Sequence, residues 1–156
     1  MKQKVKGRNV GTYDTLNEVL VSLFRDVNDI EQKALITSEF SDLTNNDMHV
    51  IEAIGMDSQK NMSMIARALS VTVGTLTISV NSLVKKGYVV RQRSSEDRRV
   101  VYISLSEKGV KAYYHHKKFH EQMIDGVVKE LTEEELEALV KALTKLNSWF
   151  RSFEED

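Results

Sequence analysis

The sequence predicts a mainly α-helical fold with one small β-hairpin. Apolar residues recur at three- and four-residue steps over most of the chain, which is the period of an amphipathic helix. The period changes once, between residues 88 and 105, where two runs of β-branched and aromatic residues flank a charged loop. The chain has 156 residues, no proline and only 7 glycines, so little in its composition breaks a long helix.

Apolar stripes and capping residues predict the first two helices. The first stripe runs from Thr15 to Lys33, and Asp14 or Thr15 is the predicted N-cap. The second helix is predicted to follow Thr44, whose hydroxyl caps it, and to stop at Gly55. Both helices precede the two short helices and the basic hairpin that are described next.

The next two predicted helices are short, and only a brief turn separates them. One runs from Asn61 to Leu69, with the small residue Ala66 at its packing point. Thr72 caps the other, which ends at the run from Lys85 to Gly87, where cations suit the negative end of the helix dipole. Two helices this close together predict a helix-turn-helix.

A basic hairpin is predicted to follow this motif. Its strands are Tyr88–Val90 and Val100–Leu105, and the loop between them reads RQRSSEDRR. A helix-turn-helix followed by such a hairpin is the winged form of the motif. Two long helices complete the prediction: one opens at Ser106 and runs to about residue 130, and the other is capped by Thr132 and runs to about Phe153.

Positive charge is concentrated in the middle of the chain. The segment from Lys60 to Lys111 holds ten Lys and Arg against three acids, a net charge of +7 in a chain whose total is -1. The rest of the chain is therefore acidic, most clearly in Glu130–Glu137 and Glu154–Asp156. This distribution favours a polyanion as the partner of the middle segment, and a basic surface without a partner is the alternative.

The second helix of the motif is predicted to present one face to DNA. Its apolar residues are predicted to face inward: Val73, Leu76, Val80, Leu83 and Val84. The opposite face has no acidic side chain and consists of Thr72, Gly74, Thr75, Ile78, Ser79 and Ser82. Short side chains allow close approach to base edges, hydroxyls bind bases or phosphates, and Ile78 can contact a thymine methyl. An ordinary exposed helix face is the alternative.

The hairpin adds arginines to this interface. Four of them are candidates for contacts with phosphates or with a narrow minor groove: Arg91, Arg93, Arg98 and Arg99. We expect Asp97 to hold the side chain of Arg99, two residues away, in one rotamer. A solvated charged turn is the alternative interpretation.

Several function classes find no support in the sequence. The absence of cysteine excludes disulfides and thiolate metal sites. No glycine-rich phosphate loop, nucleophile elbow or plausible pair of carboxylates predicts an enzyme. The N-terminus lacks the apolar core of a secretion signal and no run reaches the roughly 20 apolar residues of a membrane span, so we expect a cytoplasmic protein with no membrane partner. A helical adaptor that binds only protein leaves the basic hairpin unexplained.

The stretch SVTVGTLTISVNSLVKKGYVVRQRSSEDRRVVYISLSEKG resembles the recognition helix and wing of the MarR family of bacterial transcription regulators. The most specific motifs are the Asp-x-Arg of the wing, at Asp97 and Arg99, and the later Leu105, Ser106 and Gly109. The resemblance covers essentially the whole chain. It implies one MarR-like domain over residues 1–156, with a DNA-binding lobe at 44–105 and dimerisation helices at 12–36 and 107–153.

The same resemblance implies a homodimer whose first and last helices interlock. The residues that it places in the dimer interface are Leu16, Leu20, Leu143, Leu146, Trp149 and Phe150. Two winged lobes would then bind double-stranded DNA at half-sites about 34 Å apart, in a pseudo-palindromic operator. Phosphate contacts would supply most of the affinity and make it salt-dependent.

Within this family, the stretches LTNNDMHVIEAIG and HHKKFHEQM are similar to the FabT-like repressors of fatty-acid synthesis. That similarity implies acyl carrier protein as a partner, with its long acyl chain as corepressor, and no required cofactor. It also implies an apolar acyl tunnel, whose candidate lining residues are Phe24, Val27, Ile51, Ile54, Tyr113 and Phe119. Core packing explains each of these residues equally well.

A zinc-responsive regulator is the competing interpretation. His116 and His120 stand four residues apart on one helix face, a spacing that lets two imidazoles bind one Zn²⁺. Together with Glu31 and His49 they match the ligand positions of the zinc-responsive subgroup of the same family. A polar network that ties the helices together is the alternative, and release of DNA by another small ligand stays open.

Overall fold

The computed structural model describes residues 10–36, 38–56, 60–97 and 99–152, and these form six helices and three strands. In chain order the elements are α1 (Val10–Ile36), α2 (Asn45–Ile54), β1 (Lys60–Asn61), α3 (Met62–Ala68), α4 (Val73–Lys85), β2 (Val89–Arg93), β3 (Val101–Leu105), α5 (Glu107–Glu130) and α6 (Glu133–Arg151). The chain divides into two compact units, Met1–His116 and Lys117–Asp156, with the boundary inside α5. The fold is mainly helical with a small antiparallel sheet, as the sequence predicts.

The core of the first unit lies where α2, α3, α4 and the sheet meet. Its fully buried side chains include Ile51, Ile54, Ile65, Leu76, Val80, Leu83, Tyr88 and Ile103. The sheet has the strand order β1-β3-β2, and both pairings are antiparallel. This core supports α4 and the β2–β3 hairpin from beneath.

Local capping signals predict α2 and α4 correctly. The hydroxyl of Thr44 accepts a hydrogen bond from the Asp47 backbone N–H at 3.1 Å, and the Asp47 carboxylate accepts one from the Thr44 N–H at 3.1 Å. Gly55, with a φ of 62°, ends α2 in the left-handed region that glycine tolerates. Thr72 caps α4 by accepting from the Thr75 N–H at 3.1 Å.

The start of α1 differs from the prediction. The helix begins at Val10, so the prediction of Asp14 or Thr15 as its N-cap is wrong. Thr15 lies inside the helix, where its hydroxyl donates to the Gly11 carbonyl at 2.8 Å. A threonine can satisfy its hydroxyl in this way within a helix, so its presence alone does not mark a helix start.

The predicted hairpin is confirmed as β2 and β3, but its first strand extends to Arg93, three residues beyond the predicted end at Val90. Residues 91–93 are polar and were assigned to the loop, yet their backbones pair with β3. No sequence pattern predicted β1. In the hairpin register Arg91 pairs with Ile103. Strand β1 has only two residues, which pair with Ile103 and Tyr102 on the other edge of β3. Two residues are too few to show the alternation of apolar and polar side chains by which strands are recognised.

The second unit contains the remainder of α5 and the helix α6. Thr132 caps α6 in a capping box with Glu135, as predicted, and the Thr132 N–H that binds this carboxylate lowers its pKa. The described helix ends at Arg151, and the predicted end near Phe153 lies outside the described residues. No residue of α6 is buried, and its exposed apolar side chains include Val140, Leu143, Leu146, Trp149 and Phe150.

Across the described ranges, no single helix is long and apolar enough to cross a membrane. The pair α3 and α4 reaches the required length and composition only when the two are added together, with a bend of 106° between them. Both of these helices contribute buried residues to the core described above.

Candidate nucleic-acid interface

Helix α4 packs on the core along one narrow stripe. Leu76, Val80 and Leu83 are buried, as predicted from the sequence. Val73 and Val84 were predicted to face inward as well, but they are 45% and 37% exposed. The prediction is wrong for these two because Val73 lies in the first turn and Val84 is rotated about 80° from Leu76 around the helix axis.

The opposite side of α4 is exposed, as predicted. Ile78 is 74% exposed, and Thr72, Gly74 and Thr75 are exposed beside it. Ser79 and Ser82 are half-buried at the edges of this face. A partner could therefore contact a surface of small and hydroxylated side chains that contains no carboxylate.

The two threonines of this face are held by the cap of the helix. The hydroxyls of Thr72 and Thr75 lie 2.9 Å apart and share a hydrogen bond, in addition to the capping contact. Helix N-termini attract anions because their backbone N–H groups and dipole are positive. The predicted recognition residues therefore begin at an ordered, positively polarised end of α4.

Hydrogen bonds order the tip of the hairpin. The hydroxyl of Ser94 accepts from the backbone N–H groups of Glu96 and Asp97 at 3.2 and 3.3 Å. The backbone of Ser94 donates to Val100 at 2.9 Å, and that of Val100 donates to Asp97 at 2.9 Å. The loop therefore holds its shape through bonds within its main chain and through the hydroxyl of Ser94.

The contact made by Asp97 differs from the prediction. Its Oδ1 accepts a hydrogen bond from the backbone N–H of Arg99 at 2.9 Å, whereas the side chain of Arg99 is exposed. A carboxylate closes such a turn readily onto an N–H two residues later, which explains the preference. Asp97 therefore fixes the main chain of the wing and not the rotamer of Arg99.

The wing arginines divide into two kinds. Arg93 and Arg99 are exposed at the hairpin, and Arg98 lies outside the described residues. The Nη2 of Arg91 donates to the Oδ1 of Asn81 on α4 at 2.6 Å. Sequence reasoning missed Asn81, although its position three residues after Ile78 places it on the same face of the helix.

Three lysines of the basic segment serve the fold. The Nζ of Lys86 lies 2.8 Å from the buried carboxylate of Asp47, and the Nζ of Lys60 donates to the Ala53 carbonyl at 2.9 Å. Lys108 lies 3.9 Å above the ring of Tyr88. The arginines of the wing are therefore the better candidates for contacts with a polyanion.

An acid–histidine cluster lies in the first unit, and its His49 lines a cavity together with Thr75 and Ser79 of α4. His116 is 3% exposed, and its Nε2 lies 3.4 Å from Glu31 Oε1 and 3.7 Å from Glu52 Oε2. The rings of His49 and His116 are 6.0 Å apart. His120, the fourth residue of the predicted set, belongs to the second unit.

Glu52 was not predicted as part of this cluster. It follows His49 by three residues on α2, which places the two side chains on one helix face. His49, Glu52 and His116 each offer a ligand atom, and these atoms lie within 4.8 Å of one another. Two imidazoles and a carboxylate form a donor set that suits Zn²⁺.

The predicted effector residues lie in different environments. Ile51 and Ile54 are fully buried in the core, and Tyr113 packs against it half-buried. Phe24 is 68% exposed on α1, Val27 is half-buried there, and Phe119 belongs to the second unit. Core packing therefore accounts for Ile51 and Ile54 without a ligand.

Comparisons with known proteins identify the family. A family model described as transcriptional regulator SarA/Rot matches residues 33–115. FabT from Streptococcus pneumoniae, solved in complex with DNA, is 38% identical with a TM-score of 0.86, over 90% of this chain and 99% of the FabT chain. MepR from S. aureus, solved as a DNA complex, is 29% identical with a TM-score of 0.67, over 83% of this chain and 96% of MepR.

A curated relative agrees with these structures. The HTH-type transcriptional regulator SarZ of Staphylococcus haemolyticus is 29% identical over 127 residues, which are 81% of this chain and 85% of SarZ. The helix-turn-helix, the exposed face of α4 and the ordered basic hairpin are the parts that such regulators require. The chain belongs to the SarA/Rot family of transcriptional regulators and is a winged helix-turn-helix regulator of the MarR type.

Proposed function

We propose that the chain is a sequence-specific repressor that binds a pseudo-palindromic operator in double-stranded DNA. The observation that supports this most directly is the exposed, acid-free face of α4 beside a wing whose main chain is held by Ser94 and Asp97. The face of α4 supplies short side chains for base edges, and the exposed Arg93 and Arg99 supply positive charge for phosphates.

The proposed repressor acts as a homodimer. Exposed apolar side chains occupy α1 in the first unit and α6 in the second, among them Leu16, Leu143, Leu146, Trp149 and Phe150, while Leu20 is half-buried. Large exposed apolar patches mark interaction surfaces because they are costly to leave in water. Two lobes would bind half-sites one DNA turn apart, which matches a two-fold symmetric protein.

Genes of fatty-acid synthesis are the proposed targets, with acyl carrier protein that bears a long acyl chain as corepressor. The support for this proposal is the 38% identity to FabT over 99% of the FabT chain. Three of the candidate lining residues are not fully buried in the core: Phe24 and Val27 on α1, and Tyr113 on α5. We propose that these three contact the acyl chain. A cytoplasmic location belongs to the same proposal, because the protein must reach DNA.

Zinc is the second candidate signal, and the short distances among His49, Glu52 and His116 favour it. The buried Glu31 lies next to His116 and could add a carboxylate, and His120 is the further ligand that the sequence predicts. Bound zinc would supply positive charge and a fixed geometry to helices α2 and α5. Another small ligand that releases DNA is the third candidate.

The first experiment separates these signals on one DNA probe. The wild-type protein selects a 30-bp duplex from a random pool, and fluorescence anisotropy then measures its affinity for that duplex. Chelator-treated protein is tested alone, with micromolar Zn²⁺, with long-chain acyl carrier protein and with unacylated carrier. Tightening with the acylated carrier alone supports the fatty-acid proposal. Tightening with zinc, lost in His116→Ala, replaces it with metal sensing.

The wing is tested by Arg99→Ala, with Lys129→Ala as a control that removes one positive charge from the second unit. We expect Arg99→Ala to weaken binding to the selected duplex at least tenfold. The slope of log affinity against log salt should fall by roughly 0.9 for each phosphate contact removed. Lys129→Ala should bind like the wild type. Equal affinity of the two variants would contradict a DNA contact by the wing.

A further inference from the structure

We propose that Asn81 is a positioning residue that holds Arg91 of the wing against the recognition face of α4. The bond from Arg91 Nη2 to Asn81 Oδ1 is 2.6 Å long and joins two exposed side chains on different elements. In this arrangement α4 and β2 present a single surface to DNA. The inference rests on the DNA-binding function proposed above.

The position of Asn81 along α4 supports this role. Gly74, Ile78, Asn81 and Lys85 follow one another at steps of four, three and four residues, so they form one stripe along the helix. Ile78, within this stripe, is 74% exposed, and Asn81 is exposed as well. The stripe thus belongs to the face that we propose for DNA, and the bond with Asn81 brings the guanidinium of Arg91 to that face.

The backbone of Arg91 is fixed by the pairing of β2 with β3. Arg91 lies at the centre of β2 and pairs with Ile103 of β3, whose side chain is fully buried. The sheet holds the main chain of Arg91, and Asn81 holds the far end of its side chain. An arginine with several rotatable bonds is therefore ordered before DNA arrives, which reduces the entropy lost on binding.

The chemistry of an amide suits this task. The Oδ1 of asparagine accepts a hydrogen bond but is neutral, so Arg91 keeps its full positive charge for a phosphate. An aspartate in the same place would hold the guanidinium more tightly and cancel its charge. Asn81→Asp therefore separates the geometry of Arg91 from its charge, and we expect it to bind DNA more weakly than Asn81→Ala.

A double-mutant cycle tests the proposal on the selected duplex and on a mixed-sequence 30-bp duplex. We expect Asn81→Ala to weaken binding about threefold to tenfold, the range for one lost hydrogen bond. Arg91→Ala should weaken binding and lower the salt slope. In the Arg91→Ala background, Asn81→Ala should have no further effect, because Asn81 acts through Arg91. Gln122→Ala, at an exposed amide side chain of α5 in the second unit, is the matched control.

A second readout comes from the free protein. ¹⁵N relaxation of the arginine Nε groups should show that Arg91 becomes mobile in Asn81→Ala, while Arg99 and the melting temperature stay unchanged. An equal loss of affinity from Asn81→Ala in both backgrounds would overturn the proposal, since Asn81 would then act independently of Arg91. Unchanged affinity in Asn81→Ala would overturn it too. If no duplex is selected from the pool, sequence-specific repression fails, and the cycle on mixed-sequence DNA still decides the role of Asn81.

Discussion

Tyr88 connects three parts of the first unit through one side chain. Its hydroxyl donates to Asp42 Oδ1 at 2.6 Å, and Lys108 lies 3.9 Å above its ring. Lys108 also lies 3.6 Å from Asp42 Oδ2. Burial raises the pKa of Tyr88, and the bond to Asp42 raises it further. Partial desolvation raises the pKa of Asp42, but the bond from Tyr88 and the charge of Lys108 outweigh it and leave the pKa lowered.

This network predicts an acid-sensitive contribution to stability. Tyr88→Phe removes one hydrogen bond and should lower the free energy of unfolding by about 1 kcal/mol at pH 7. Because the pKa of Asp42 is lowered in the folded state, its contribution is present above the ordinary value of 3.8 and is lost as pH falls through the folded value. The difference between wild type and Tyr88→Phe should therefore shrink at pH 3.

Urea unfolding at pH 7 and pH 3 measures this difference, with Tyr114→Phe as the control at an exposed tyrosine. The titration of Tyr88 should change stability in the opposite direction with pH. Its raised pKa means that the stabilisation is complete below pH 10.0 and declines as pH rises above it. A loss of equal size at pH 7 and pH 3 would show that the hydroxyl does not act through the Asp42 carboxylate.

Single residues were predictable from the sequence where their partners are local. Thr44, Thr72 and Thr132 cap their helices as predicted, because each cap joins residues three apart. The partners of Arg91 and His116 were not predictable. Asn81 and Glu52 reach them only through the packing of one element on another, which periodicity does not encode.

At the scale of elements, a substitution at Gly74 of α4 should change helix stability and DNA affinity in opposite directions. A Cβ at Gly74 would meet only the Thr72 hydroxyl at 3.7 Å, so Gly74→Ala should fold normally and gain up to about 1 kcal/mol from helix propensity. If α4 approaches base edges closely, the same methyl group should weaken binding to the selected duplex. The expected result is a more stable protein with lower affinity.

Gly126→Ala on α5 is the matched control, because a Cβ there meets nothing within 4 Å. It should gain similar stability and keep the affinity of the wild type. Thermal unfolding and anisotropy measure both properties on the same samples. Wild-type affinity in Gly74→Ala would place this part of α4 away from the bases.

Elements were predictable in kind and less so in extent. The apolar period identifies all six helices, and the β-branched runs identify β2 and β3. The start of α1 was missed because Thr15 is a residue type that often caps helices but here lies inside one. Strand β1 was missed because it forms only by pairing with β3, which is distant in the sequence. Val73 and Val84 are exposed because the core covers only a narrow face of α4. The apolar character of a residue does not show how wide that buried face is.

At the scale of the molecule, the class of function was predictable and the signal was not. Charge distribution, the helix-turn-helix and the basic hairpin are all visible in the sequence, and the family match agrees with them. The effector depends on which side chains line a cavity. Ile51 and Ile54 are apolar whether they bind an acyl chain or fill the core, where the structure places them. The acid–histidine cluster has the same ambiguity between metal ligands and a polar network.

The exposed apolar stripes lead to a prediction about assembly. Trp149 and Phe150 contact each other on α6 and are both exposed, as is Leu146. If a second copy covers them, the wild type should sediment as a dimer of 17.8 kDa chains at micromolar concentration. Trp149→Glu buries a charge in that interface and should yield monomers.

Ser148→Glu adds the same charge on the opposite face of α6 and should leave the dimer intact. Loss of the dimer should also change DNA binding in a specific way. The two lobes of a dimer bind both half-sites at once, which raises the overall affinity. Trp149→Glu should therefore lose most of its affinity for the selected duplex and keep the weak, salt-dependent binding of a single lobe. A monomeric wild type that binds the duplex with full affinity would show that one lobe suffices. The apolar stripes would then belong to a different partner.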